Sequence, residues 1–122
     1  MHFVSMLMLM AAAAPARAEW VKVDVSEDSS FYIDPATIRR DGEMVAVWQL
    51  QDLKQSRSGV MSLRVLSEDA CKEKRFRVLA VSGYSGSMLS GDVISSPTPS
   101  GKWDHIPADT VGATILRLVC AK

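Results

Sequence analysis

The stretch EMVAVWQLQDL, residues 43–53, changes polarity so regularly that it constrains the fold more than any other part of the chain. Successive side chains of a β-strand point to opposite faces of a sheet. This segment therefore presents Met44, Ala46, Trp48 and Leu50 on one face and Val45, Val47, Gln49 and Gln51 on the other. A strand that is apolar on one side and mixed on the other suits the middle of an antiparallel sheet. The period recurs around it. Val21, Val23 and Val25 alternate with Lys22 and Asp24; Met61, Leu63 and Val65 alternate with Ser62 and Arg64. In RFRVLAV, residues 75–81, Phe76, Val78 and Ala80 alternate with Arg75, Arg77 and Leu79, and FYI at 31–33 is a short aromatic strand.

The connections carry turn chemistry. EDSS is a turn, and in DPATIRRDG Asp34 caps one helical turn with Pro35 at its first position, closed by Asp41-Gly42. KQSRSG reverses the chain, and SEDACKEK, residues 67–74, reads as a polar connection. Residues 82–103, rich in Gly, Ser and Pro, are expected to hold a turn, a short strand around Val93 and Ile94, and a loop across Pro97 to Lys102. The period then changes. Val111, Ile115, Leu118 and Val119 recur at helical spacing with Thr110, Thr114 and Arg117 opposite, and Asp109 is the expected N-cap. Gly112 costs this helix up to ~1 kcal/mol against alanine. The fold class is therefore α+β: a single antiparallel sheet of about five to six strands, with a C-terminal α-helix packed on one face.

At the other end, an apolar run from Phe3 to Ala14 meets Pro15 and the triplet Ala16-Arg17-Ala18. That is the layout of a secretory signal peptide over residues 1–18, although only His2 stands before the apolar core. The run is short for a membrane span, which needs about 20 apolar residues. Cleavage leaves one domain, residues 19–122, beginning at Glu19. No cysteine stands there to take a lipid, so the expected location is the periplasm, the cell surface or the medium, without a lipid anchor. Cys71 and Cys120 are the only cysteines, and export makes one disulfide their simplest state. Closing the segment between them stabilises such a fold by roughly 4 kcal/mol on the chain-entropy model.

The composition excludes several classes of function. Fourteen basic residues balance fourteen acidic ones, which argues against a nucleic-acid binder. Once His2 is removed, His105 is the only imidazole, with no partner at metal-ligand spacing and no nucleophile motif around any serine. SGYSGSMLSG lacks the order of a phosphate loop, and Ser100-Gly101-Lys102 is followed by Trp103. No catalytic, cofactor or metal residues are expected from the pattern.

The segments FYIDPATI, VWQLQD, SGYSG and WDHIPADT, with the Cys71 and Cys120 pair, resemble the surface-adhesin protein E family of Gram-negative envelope proteins. The resemblance spans Trp20 to Cys120, and its most specific parts are Tyr32-Ile33-Asp34-Pro35, Trp48, the cysteine pair and Trp103 to Pro107. It implies an antiparallel sheet with a C-terminal helix, the same disulfide, and a non-enzymatic role binding host matrix or serum proteins. It also implies haem as a cofactor of some members, for which His105 or a methionine would be the ligand. Adhesive members carry a lipid on an N-terminal cysteine, whereas the cleavage site here leads to Glu19. Lys72, Lys74, Arg75 and Arg77, with Tyr84 and Trp103, are the candidate partner-binding residues. The expected function is an exported binding module for a protein or other macromolecule, either a host matrix protein or another envelope protein. The alternative is a soluble periplasmic structural or accessory protein with no host ligand.

Overall fold

A computed structural model describes residues 18–121. The expected signal peptide thus lies, apart from Ala18, outside the described residues. Strands β1 (Val21–Val25), β2 (Ser29–Ile33), β3 (Arg39–Asp41), β4 (Met44–Arg57), β5 (Val60–Ala70), β6 (Arg75–Tyr84), β7 (Val93–Ser95) and β8 (Asp104–His105) precede one helix, α1 (Val111–Cys120). All eight strands join one antiparallel sheet in the order β1-β2-β4-β5-β6-β7, with β3 added on β4 and β8 on β6. Eight strands replace the expected five to six. The additions are β3 and β8, of three and two residues, too short to show any alternation.

Three long strands make the frame. β4 and β5 form a hairpin closed by Ser58 and Gly59, whose φ values of 50° and 83° supply the left-handed pair that a two-residue hairpin turn requires. β5 runs on through Ser67, Glu68, Asp69 and Ala70, so half of the segment expected to be a polar connection is strand. Ser67, Asp69 and Ala70 are buried there. β2 and β3 line up along one edge of β4, and β7 and β8 along the free edge of β6.

The helix packs on the face that carries Val45 and Val47. Both are buried with Ile33, Ile115 and Val119, while Ala113 and Leu116 pack with Ile106 beside them. Removing each such side chain from water contributes roughly 1.5–3 kcal/mol. The face that reads as mixed, because of Gln49 and Gln51, is thus the one the helix covers. Leu118, expected on the inner stripe, is 48% exposed; the buried stripe turns instead through Ala113 and Leu116 toward Ile106. The N-cap also differs. Asp109 sits at φ 63°, outside the extended conformation of a cap, and Thr110 adopts that conformation and accepts from the Ala113 N–H at 3.1 Å. Asp34 does cap its short turn, accepting from the Ala36 N–H at 3.2 Å.

In β1 a bulge between Lys22 and Asp24 breaks the alternation. Val23 alone packs against the core, and Val21 and Val25 stay about half exposed. Two attachments hold the C-terminal end of α1. Cys71, just after β5, is bonded to Cys120 with their Cα atoms 5.8 Å apart. From β3 the Arg40 guanidinium donates to the Val119 carbonyl at 2.8 Å and to that of Ala121, satisfying carbonyls the helix leaves open.

Candidate functional site

Strand register decides what the helix-free face displays. Residues paired across an antiparallel ladder share a face. Trp48 is paired with Leu66, Leu50 with Arg64, Ala46 with Glu68, and Glu68 in turn with Arg77. Arg64 and Glu68 flank Leu66 along β5, so Trp48 lies diagonal to both, within reach of long side chains. The Arg64 guanidinium stacks 3.6 Å above the centre of the Trp48 ring. Arg77 bonds the Glu68 carboxylate twice, at 2.7 and 2.8 Å, and lies 4.7 Å from the centre of the Trp103 ring. The result is a row, Arg64–Trp48–Glu68–Arg77–Trp103, across the middle of the sheet. Each such cation–π pair is worth about 0.5–1 kcal/mol where water reaches it and favours keeping the guanidinium beside its ring.

Charge on this face is lopsided. Lys22, Arg39, Arg64, Arg75 and Arg77 all fall on it by register, together with the ring of Tyr32. Of its acids, Glu68 is paired with Arg77 and Asp52 accepts the Met88 N–H at 2.8 Å, leaving Asp41 at the edge. The face is basic and aromatic although the chain is neutral.

The structure divides the candidate residues. Arg77 and Trp103 are brought into contact, and Arg75 follows them on the same face opposite Ala70. Lys72 and Lys74 stand exposed in the β5–β6 turn, at the rim. Tyr84 shares the face, opposite Ser62, but lies nine residues along β6 from Arg75, about 30 Å at 3.3 Å per residue. There the turn Ser87–Leu89 covers the sheet: Ser62 donates to the Gly86 carbonyl at 2.6 Å and accepts from the Leu89 N–H at 2.8 Å. A Cβ on Gly86 would lie 2.2 Å from the Ser90 hydroxyl, so this close turn needs the glycine. Tyr84 therefore belongs to a separate end of the sheet. The Arg64–Trp48 pair escaped sequence reasoning, although the alternation of β4 and β5 already puts both residues on one face once their register is known.

His105 is exposed on β8, paired with Arg75. It borders a hollow of about 390 Å³ that contains neither a second histidine nor a methionine, and Lys74 and Arg117 line it as well. These residues do not fit a haem with axial ligation from both sides. No group of three or more His, Cys, Asp or Glu able to hold a metal occurs among the described residues, and none of their helices is long and apolar enough to cross a membrane.

Comparison with known proteins agrees with this architecture. The family model described as surface-adhesin protein E matches residues 20–121. Among solved structures, Haemophilus influenzae protein E superposes with a TM-score of 0.65 at 16% identity, covering 93% of this chain and 92% of that one. A second crystal form of it gives 0.63 at 15% identity, over 87% and 97% of the two chains. Protein E from non-typeable Haemophilus influenzae gives 0.56 at 16% identity, over 92% and 82%. No curated protein matches the chain.

Proposed function

The chain belongs to the surface-adhesin protein E family, and on that premise we propose that it is an exported, non-enzymatic binding module that docks an acidic protein partner on the helix-free face of its sheet. The observation that carries this reading is the row of two stacked Arg–Trp pairs joined by the Arg77–Glu68 ion pair. Trp, Tyr and Arg are enriched among the few residues that carry most of the energy of protein interfaces. Here the aromatic planes are pre-ordered by their guanidinium neighbours, and the surplus positive charge selects for carboxylates. Export rests on the apolar run and Ala16-Arg17-Ala18, with Glu19 as the first residue of the mature protein. The family match, which begins at residue 20, supports that boundary.

The test uses the mature protein against immobilised extracellular-matrix and serum proteins. Arg64→Ala and Arg77→Ala should each weaken a bound partner about 5- to 30-fold, the loss expected for an interface anchor. Arg117→Ala, on the outer side of α1, should leave it unchanged. Binding should also fall with added salt. If both face variants bind like the parent, the helix-free face is not the docking surface. If no protein of the panel binds, and a tag after Lys122 reports a wholly periplasmic pool, the adhesin reading gives way to a periplasmic accessory role.

A further inference from the structure

The helix does not fill the face it covers. Between α1 and the sheet lies a cavity of about 320 Å³, within the range of small-molecule sites. Its walls are apolar: Phe31, Phe76 and Val78 rise from the sheet, and Ile106, Val111 and Ile115 close over them. Its floor is not. Gln49, Gln51, Ser67 and Asp69 line it from β4 and β5.

That floor carries one ionisable group, and it is an acid. Gln49 commits one amide N–H to the Ser67 hydroxyl, and Gln51 commits one to the Ser29 hydroxyl at 3.0 Å. The amide carbonyls and the Asp69 carboxyl remain as acceptors. Asp69 is only 3% exposed, its cross-strand neighbours are Val45 and Phe76, and no donor or countercharge among the described residues offsets its burial. Desolvation alone pushes its carboxyl up to about 6. The elements around it add no second ionisable group: every other residue lining the cavity, from β2, β4, β5, β6, the loop after β8 and α1, is neutral. An unpartnered buried carboxyl is costly to keep, and a core this small gains more stability from an aliphatic side chain at the same position.

We propose that this cavity is a binding site for a small organic ammonium: a primary amine with a compact alkyl or aryl body, its cationic head on Asp69 and the Gln49 and Gln51 carbonyls, its body between Phe31, Phe76 and Val111. The shape accepts the apolar body, and Asp69, the only ionisable group in the lining, selects a cationic head and rejects a carboxylate. The site is distinct from the helix-free face and does not depend on protein docking there.

The experiment is calorimetric or NMR titration of the mature protein with 2-phenylethylamine, with 3-phenylpropionate as a control of similar shape and opposite charge. The amine should bind one to one near pH 8 and about 10-fold more weakly near pH 5, where Asp69 holds its proton. Asp69→Asn, which keeps the shape, should weaken it by at least about 10-fold. Val111→Phe, which fills the cavity from the helix side, should do the same with the carboxyl intact, so that a folding defect in one variant leaves the other decisive. Overturning results are 3-phenylpropionate binding as well as the amine, amine binding unaffected by either variant, or no amine binding at concentrations near ~10 mM.

Discussion

Asp69 shows how one residue ties the fold to pH. In the unfolded chain its carboxyl titrates near the ordinary 3.8, and in the folded protein near 6. Below about pH 3 both states hold the proton and the residue is neutral to stability. Between roughly pH 4 and 6 the folded state keeps a proton that the unfolded chain has released, so stability falls as pH rises, and it levels off above the folded value. The loss should be on the order of 2 kcal/mol. Urea melts of the parent across this window should show the decline, whereas Asp69→Asn should be flat there and more stable than the parent near pH 8. A parent curve that rises from pH 4 to 7 would mean that Asp69 is paired or solvated. At the start of α1 the residue-scale test is a contrast. Thr110→Ala should cost about 1 kcal/mol for the lost cap. Asp109→Gly should cost nothing or stabilise slightly, because Asp109 occupies the left-handed region at φ 63°. Equal losses in the two would return the cap to Asp109.

Among the elements, α1 depends most on distant parts of the chain. Its inner stripe rests on Val45 and Val47, its last turn is tied to the end of β5 by Cys71–Cys120, and Arg40 of β3 closes its carbonyls. Cys71→Ser and Cys120→Ser should each destabilise the domain by about 2–5 kcal/mol, and the double variant should match either single one because all three lose the same bond. Chemical denaturation measures this, and clearly additive losses would contradict a shared role. Elements of this kind were legible wherever one local rule decided them. The alternation of β4 gave its two faces, Asp34-Pro35 gave the capped turn, and the helical period gave α1. What stayed hidden depended on long-range pairing. Ser67 to Ala70 reads as a connection because its inward residues, Ser67 and Asp69, are polar, and they are polar because they line a cavity, not a filled core. Likewise β3 and β8 are strands only because β4 and β6 offer free edges, and the β1 bulge leaves no mark on Val21, Val23 and Val25.

For the molecule as a whole, the sheet separates two surfaces with opposite chemistry. One is covered by α1 and encloses an apolar cavity with one carboxyl on its floor; the other is open, basic and aromatic. The Cys71–Cys120 bond, at the end of β5, holds the covering in place, and the Arg–Trp row spans the open side. His105, paired with Arg75, stands on the rim of that face outside the row, so His105→Ala should leave thermal stability within ~0.5 kcal/mol of the parent and affect partner binding less than Arg64→Ala or Arg77→Ala. Loss of either would give this histidine a role that its exposed position does not explain. The three tryptophans allow the docking face to be read directly. Trp48 and Trp103 lie in the row, while Trp20 precedes β1 at the far edge of the sheet. Each indole N–H gives its own signal in a nitrogen-15 NMR spectrum, and a bound partner can be titrated against all three at once. Docking on the helix-free face predicts that the Trp48 and Trp103 signals shift or broaden together, in proportion to complex formed, with Trp20 unmoved. A complex that forms while both signals stay in place, or that moves Trp20 alone, would contradict it.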